Sequence, residues 1–397
     1  MEVLFGGEEL KILIAPMAAM AETSGPFSRA KKISQECLDR EHKVVLCAAE
    51  DINYRPIEGV QNYYAPTPAP FGLPMFLGKR LFKLAQKLGV QQKRTVNSYE
   101  EVLHIIGAIS KKHFKKDVKF LRQAIRKSKP DVIYSEFRIA AIVAAKLEDK
   151  KVITSYSYPA QKSYACNPEY SKHVRRFLKN TDLPEIKSVL EIFDWSDLKI
   201  IPSSYDLEPI DDENVVFTGP FNSTFNNVDN FKNRKKIVVY MGNGTITPRK
   251  LIEVMKEAFL DSKYEVYIAT KQFDEFKDKN IIVAKRFNFN RLLPESIAFI
   301  NHGGQNSIMD GLLNNVPQII CPGKIFERKY NARSIENLNA GKIVMEENFN
   351  ANTIIEIVKE FSCNNKYFNC SKYIGKKFKE LGGVKRVVNE IEKFKSD

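Results

Sequence analysis

Short apolar runs alternate with amphipathic stretches along most of the 397 residues. Such runs are typical of strands buried in a parallel sheet, and the stretches between them suit the crossover helices that parallel strands require. In the first half, the predicted strands are 11–15, 43–48, 131–135, 152–155, 198–202 and 215–218, with helices at 28–40, 117–128 and 139–147. The second half repeats the pattern, with strands at 237–241, 264–269, 281–284, 298–301 and 318–321 and helices at 248–260, 305–313, 329–340, 353–361 and 367–394. The pattern predicts the α/β class with two open sheets.

A polar, Asn-rich stretch separates the two halves. Residues 219–236 (GPFNSTFNNVDNFKNRKK) lack apolar periodicity and are the best linker candidate. The length also suits two domains of about 150–200 residues each. We therefore predict an N-terminal domain at 1–222, a linker at 223–236 and a C-terminal domain at 237–375. Residues 1–7 resemble a tag remnant and receive no role.

The net charge of +14 indicates an affinity for polyanions, although a lysine-rich composition from an AT-rich genome explains it equally well. The sequence contains no aromatic-basic readout module, so we do not predict a nucleic-acid partner. Six scattered cysteines form no CxxC pair, which favours reduced thiols over disulfides or a zinc site. No apolar run reaches the roughly 18–20 residues that span a bilayer. We expect a cytoplasmic protein.

The segment at residues 302–307 (HGGQNS) lies between a predicted strand and a predicted helix. Ligands of open α/β sheets bind at the carboxyl ends of strands. Gly303 and Gly304 allow close backbone approach, and the helix N-terminus offers unpaired N–H groups to an anion. His302, Asn306 and Ser307 add side-chain donors. The segment is a candidate phosphate site; the alternative is a tight turn capped by Asn or Ser.

Two further segments, like residues 302–307, lie between the end of a predicted strand and the start of a predicted helix. In residues 240–245 (YMGNGT), Gly242 and Gly244 end a strand, and the Thr245 hydroxyl could reach the same phosphates. Glu327 and Arg328 follow the strand at 318–321, at a junction between loop and helix. A carboxylate at position 327 suits sugar hydroxyls, or else stabilises the first turn of its own helix.

Together these segments resemble the donor half of the GT-B nucleotide-sugar glycosyltransferases, the superfamily that includes macrolide and plant-type enzymes. The resemblance covers residues 237–345 well and the first half more loosely. It implies two Rossmann-like domains whose parallel sheets face a central cleft, with a C-terminal helix, 376–397, that packs back on the N-terminal domain. It also implies that residues 302–307 hold the diphosphate, that Asp310 contacts the ribose and that no metal or other cofactor is needed.

The donor half departs from the family pattern at two places. The family's acidic residue and glutamine that contact the sugar correspond to Glu327 and Arg328, so arginine replaces glutamine. The family tryptophan that stacks on the base would lie near Arg286 and Phe287, where Phe287 could stack instead. The donor sugar and the base, uracil or thymine, therefore stay open.

The first half lacks the family's catalytic histidine. Counting back from residues 41–44 (EHKV) places Pro26 at that position, and proline cannot accept a proton. Inverting transfer needs a base near the acceptor, for which Glu22 and Glu136 are candidates. The alternatives are an acceptor that needs little help from a base, or a chain without transferase activity.

Residues 71–94 begin with exposed apolar positions and continue as a basic amphipathic helix. This pattern is typical of a helix that binds an anionic membrane, here the inner face, and also of an ordinary helix whose leucines join the core. The first interpretation makes the protein peripheral to the membrane and adds a lipid-linked acceptor to the alternative of a small molecule.

The sequence therefore predicts transfer of a sugar from a UDP or dTDP donor to an acceptor hydroxyl with inversion. The alternatives are a catalytically inactive GT-B partner protein and a nucleotide-sugar hydrolase or epimerase on the same fold.

Overall fold

The computed structural model describes residues 9–18, 25–50, 54–69, 95–221, 231–242, 244 and 246–394. It contains two seven-stranded, mostly parallel sheets with helices packed against them, which confirms the predicted α/β class. Among the described residues, no helix is long and apolar enough to cross a membrane. Glu22, Thr245 and the whole proposed membrane-binding stretch at 71–94 lie outside the described residues.

The first sheet has the order β3-β2-β1-β4-β5-β6-β7, and all of its neighbouring strands are parallel. Its strands are β1 (Lys11–Pro16), β2 (Lys43–Leu46), β3 (Gln61–Asn62), β4 (Val132–Glu136), β5 (Lys151–Ser155), β6 (Leu198–Ile201) and β7 (Val215–Phe217). The helices of this half are α1 (Gly25–Asp39), α2 (Tyr99–Ile105), α3 (Lys111–Ser128), α4 (Ile139–Leu147) and α5 (Lys172–Leu178).

The second sheet has the order β10-β11-β9-β8-β12-β13-β14, in which only the β10–β11 pair is antiparallel. Its strands are β8 (Lys236–Tyr240), β9 (Glu265–Ala269), β10 (Phe276–Asp278), β11 (Ile281–Ala284), β12 (Ser296–Asn301), β13 (Gln318–Ile320) and β14 (Gly341–Ile343). Its helices are α6 (Pro248–Phe259), α7 (Phe289–Leu292), α8 (Gln305–Leu313), α9 (Phe326–Asn337), α10 (Ala351–Cys363) and α11 (Lys366–Glu380), and the chain ends in α12 (Gly383–Glu392).

The central strands are buried on both faces because they are apolar along their whole length. Ile12, Leu13 and Ile14 of β1 have no exposed surface, and their side chains alternate between two hydrophobic cores on opposite faces of the sheet. The strand order reverses between β1 and β4 in one sheet and between β8 and β12 in the other. Ligands bind beyond the strand ends at such reversals, and residues following β1, β4 and β12 line one shared cavity.

Direct contacts join the two halves beside this cavity. The Val96 N–H donates to the Lys324 carbonyl at 3.1 Å, and the Phe326 N–H donates to the Val96 carbonyl at 2.9 Å. The rings of Tyr158 and Tyr330 stack with their centroids 4.8 Å apart. Helix α9 begins at Phe326 rather than at the predicted residue 329. The first N–H of the helix, that of Phe326, is satisfied by the Val96 carbonyl of the other half.

The stretch 367–394, predicted as one helical region, forms α11 and α12. Gly382 (φ +89°) and Gly383 (φ +58°) reverse the chain between them, in the left-handed region that glycine adopts without strain. Helix α12 then packs against α1 and buries Val387, Val388 and Ile391 in the core of the first sheet. The end of the chain is thereby attached to the N-terminal half.

Ile391→Ala tests this attachment. Ile391 has no exposed surface, so we expect the substitution to lower the free energy of unfolding by about 2–5 kcal/mol. Urea denaturation followed by circular dichroism measures the change. Lys385→Ala, on the exposed face of α12, is the control and should change stability by less than about 0.5 kcal/mol. Equal effects of the two substitutions would contradict the packing described here.

Candidate active site in the interdomain cleft

The turn between β12 and α8 is held by two buried side-chain amides. The side-chain oxygen Oδ1 of Asn301 accepts a hydrogen bond from the Gly303 N–H at 2.8 Å. The side-chain nitrogen Nδ2 of Asn301 donates to Gln318 Oε1 at 2.9 Å. The Gln318 amide donates in turn to the Ile308 carbonyl in α8 at 3.0 Å. Asn301 and Gln318 have no exposed surface. This relay fixes Gly303 at φ +80° and sets the direction of α8.

Helix α8 begins at the cavity without a side-chain cap. Its N-cap residue is Gly304, which has no side chain to accept the first N–H groups. Gln305, Asn306 and Ser307 of the first turn all line the cavity, which has a volume of about 420 Å³. The helix therefore presents the positive end of its dipole to a ligand-sized space, as an anion site requires.

His302 lies beside this helix end as a neutral ring. Burial, followed by the nearby positive charge of Arg328, lowers the pKa of His302 to about 3. Its Nδ1 is 3.5 Å from the Tyr240 carbonyl oxygen, a long distance for a hydrogen bond. His302 can therefore offer a neutral N–H donor to an anion and keeps the same charge across the physiological pH range.

Glycines surround the imidazole because side chains would not fit there. A Cβ on Gly304 would lie 2.6 Å from His302 Nε2, and a Cβ on Gly244 would lie 2.7 Å from the Met241 carbonyl oxygen. Gly242 adopts φ +49°, and a Cβ there would lie 3.4 Å from His302 Cε1. The two glycine segments that the sequence singled out are thus neighbours around one histidine.

Glu327 and Arg328 stand in the first turn of α9 and face the same cavity. The Glu327 carboxylate accepts a hydrogen bond from the backbone N–H of Gln305, and burial raises its pKa against the opposing effects of Arg328 and Arg29. Burial lowers the pKa of Arg328, which the Glu327 charge counteracts. The Asn331 amide donates to the Gly303 carbonyl at 2.8 Å and joins α9 to the turn.

The cavity gathers most of the predicted donor residues, namely Gly242, His302, Gly304, Asn306, Ser307, Glu327 and Arg328. Gly303 and Gly244 lie behind this surface and shape it. Asp310 lines a neighbouring crevice together with Lys32. Burial lowers the pKa of Lys32, and the Asp310 charge opposes this effect only in part. Arg286 and Phe287 are absent from the cavity wall as described, and the Phe287 ring makes an edge contact with Tyr267 at 5.5 Å.

Glu136 does not face the cavity, contrary to its prediction as an acceptor base. It has no exposed surface; one carboxylate oxygen bonds Arg29 at 2.7 Å, and the other accepts from the Ser155 hydroxyl. Burial raises its pKa, an effect that Arg29 opposes. Because both oxygens are occupied behind the cavity wall, Glu136 anchors Arg29. Pro26 does line the cavity, at the position where the resemblance expects the base.

Glu208 is an acid of the cavity wall that sequence reasoning missed. It follows β6 and is only 4% exposed, and its carboxylate accepts the Tyr158 N–H at 2.7 Å. Burial, with a smaller contribution from the Glu327 charge, raises its pKa to about 7. No motif surrounds it in the sequence, so only the fold reveals its position.

The cavity wall contributed by the N-terminal half is mainly apolar. The sequence pattern did not predict this wall. Its apolar and aromatic members include Met17, Tyr99, Val102, Ile106, Phe137, Pro159 and Ala160, with Ile325 and Phe326 from the other half. Among the described residues, no group of three or more His, Cys, Asp or Glu side chains is arranged to hold a metal ion. The cavity thus joins an apolar chamber to the N-terminus of α8, which has no side-chain cap.

Comparisons with known proteins agree with this geometry. The family described as erythromycin biosynthesis protein CIII-like, C-terminal domain, matches residues 260–385. The chain is 25% identical over 290 residues to the NDP-glycosyltransferase YjiC of Bacillus licheniformis, an alignment that covers 67% of this chain and 72% of the relative. The candidate phosphate site at 302–307 lies within the matched region of the family.

Solved structures share the whole fold. The glycotransferase of kitacinnamycin superposes with a TM-score of 0.73 at 16% identity, covering 98% of this chain and 99% of the other. The spinosyn rhamnosyltransferase SpnG complexed with thymidine diphosphate gives 0.68 at 13% identity, covering 96% and 100%. The solved structures therefore show that the chain has the GT-B fold, and both comparisons find similarity to proteins named as glycosyltransferases.

Gly304→Ala tests the candidate phosphate site at the N-terminus of α8. The added methyl group would lie 2.6 Å from His302 Nε2 and should displace the ring from the helix end. We expect the affinity for UDP or dTDP to fall roughly tenfold, the scale of one lost hydrogen bond, as measured by isothermal titration calorimetry. Lys385→Ala is the control because Lys385 is exposed on α12, outside the cavity. Equal affinities of the two variants would contradict a phosphate site at this helix end.

Proposed function

We propose that this glycosyltransferase moves a sugar from a UDP or dTDP donor to the hydroxyl of an apolar acceptor, with inversion at the anomeric carbon. The observation that supports the proposal best is the uncapped end of α8, which faces the apolar chamber across one cavity. The named relatives use nucleoside-diphosphate sugars, and SpnG binds thymidine diphosphate, as the names state.

The C-terminal half would hold the donor. The diphosphate would lie at the N-terminus of α8, where the backbone N–H groups, the Ser307 hydroxyl and the His302 ring donate hydrogen bonds to it. These donors stabilise the charge that develops on the diphosphate as its bond to the sugar breaks, which lowers the barrier to transfer. Glu327, in contact with the helix end, is placed to accept hydrogen bonds from the sugar hydroxyls.

The N-terminal half would hold the acceptor. Tyr99 and Phe137 bring aromatic surface to a wall that is otherwise aliphatic, and Tyr99 is fixed there by its hydroxyl, which donates to the Phe137 carbonyl at 2.6 Å. A wall of this composition suits a small apolar or aromatic molecule with one reactive hydroxyl. The cytoplasmic location and membrane contact through 71–94 remain predictions.

Glu208 is our candidate for the missing base. It would accept the proton of the acceptor hydroxyl while that oxygen attacks the anomeric carbon, and the bonding electron pair leaves with the diphosphate. Glu208 lines the cavity, whereas Glu136 is fully buried and does not. The Glu208 pKa of about 7 matches the requirement that a base be deprotonated at working pH and still accept a proton.

The pH profile tests this role. Because only ionised Glu208 accepts a proton, kcat/KM should rise with pH through about 7 and level off above it. Glu208→Gln should lose this rise and reduce kcat by about 10²–10⁴-fold, the usual contribution of a general base. Initial rates from pH 5.5 to 9 measure both effects. An unchanged profile and rate in the variant would remove Glu208 from the reaction.

The reaction itself is tested by incubating the protein with UDP-glucose and dTDP-glucose, with and without a panel of aromatic and aliphatic alcohols. Transferase activity predicts release of nucleoside diphosphate only when an alcohol is present, together with a β-glucoside of that alcohol, as expected for inversion of an α-linked donor. Release without an alcohol would instead support the hydrolase. Nucleotide binding without turnover, or no binding, would support the inactive partner protein. Coupled diphosphate detection and mass spectrometry distinguish these results.

A further inference from the structure

Arg29 of the N-terminal half reaches across the cleft to the helix end of the C-terminal half. Its Nε and Nη2 both lie 2.7 Å from Glu136 Oε1, and its Nη1 lies 3.5 Å from the Gln305 side-chain oxygen. Gln305 is the first residue of α8. The guanidinium, with its side chain 14% exposed, therefore faces the same anion site from the opposite wall.

Buried groups behind Arg29 hold the guanidinium in this orientation. Glu136 takes two of its nitrogens, the Ser155 hydroxyl donates to the second Glu136 oxygen, and the Tyr134 hydroxyl lies 2.8 Å from Ser155 Oγ. The Phe137 ring packs 5.6 Å from the guanidinium carbon. Although burial opposes it, the Glu136 charge raises the pKa of Arg29 above its ordinary value. Arg29 is thus a fixed cation with one nitrogen left toward the cleft.

The partner of that nitrogen is weak. A separation of 3.5 Å is at the limit of a hydrogen bond, and a neutral amide oxygen interacts with a guanidinium less strongly than a phosphate oxygen does. An anion at the end of α8 would lie between Arg29 on one wall and Arg328 on the other. The arrangement is therefore incomplete without an anion and suits a group with more than one negative charge.

We propose that Arg29 binds the diphosphate of the donor across the cleft, with Nη1 exchanging the Gln305 oxygen for a phosphate oxygen. The inference rests on the proposed function, since it takes the nucleoside diphosphate as the ligand of α8. Arg29 would then neutralise part of the charge that leaves with the diphosphate. The loop and helix that lack the family's base thus supply a cation to the leaving group, and donor binding connects the two halves of the molecule.

The test compares the binding of UDP, dTDP and uridine by isothermal titration calorimetry in the wild type and in Arg29→Gln. Because Arg29→Gln loses a charge-assisted hydrogen bond, its affinity for UDP and dTDP should be roughly 10- to 100-fold lower than that of the wild type. Its affinity for uridine should be unchanged because uridine has no phosphate. Arg29→Lys keeps the positive charge but loses the planar guanidinium. Its affinity for UDP and dTDP should therefore lie between those of the wild type and of Arg29→Gln. Lys31→Gln is the matched control, since Lys31 is exposed on the same helix outside the cavity.

Removing Arg29 leaves the buried Glu136 without its partner, which lowers stability. The double variant Arg29→Gln, Glu136→Gln removes both charges and should show the same specific loss of diphosphate affinity. UDP affinity equal to that of Lys31→Gln in both variants would overturn the proposal, as would equal losses for UDP and uridine. Failure of the wild type to bind UDP and dTDP would instead overturn the proposed function, and this inference with it.

Discussion

The site depends on one turn, in which the chain leaves β12 and enters α8 with its first N–H groups directed at the cleft. Two buried amides, Asn301 and Gln318, hold that turn, and Asn331 secures it from the neighbouring helix. An unpaired polar group at such a depth costs roughly 1–3 kcal/mol, so each amide of the relay depends on the others. The relay gives the helix end a fixed direction before any ligand arrives.

A fixed helix end acts as an active site only if the other half of the molecule reaches it. The contacts at Val96, Tyr158 and Arg29 bring the apolar wall and the anion site to one cavity. Further hydrogen bonds tie the loop before Glu208 to α9, where the Tyr330 and Ser334 hydroxyls both donate to the Leu207 carbonyl at 2.8 Å. Glu208, the next residue, is therefore positioned by the same contacts that join the two halves.

The sequence was most informative where local chemistry decides structure. Apolar runs located the central strands, and two glycines before a helix located the start of α8 at the cavity, because both features depend on neighbouring residues alone. The strands β3 (QN), β10 (FKD) and β14 (GKI) were missed because each is short and none contains an apolar run. The position of Glu136 could not be predicted, because its burial depends on a partner 107 residues away. The same holds for Glu208, whose pKa follows from tertiary packing. The Asn301–Gln318 relay had a visible signal, a polar residue in each of two apolar strands.

Binding of the diphosphate at the N-terminus of α8, between the two halves, is the basis of the proposed reaction. A crystal structure of the protein with bound UDP measures this directly. We expect phosphate oxygens within about 3.2 Å of backbone N–H groups in the first turn of α8 and of Arg29 Nη1, with His302 beside them. A diphosphate bound elsewhere in the cleft, away from the first turn of α8, would contradict this assignment.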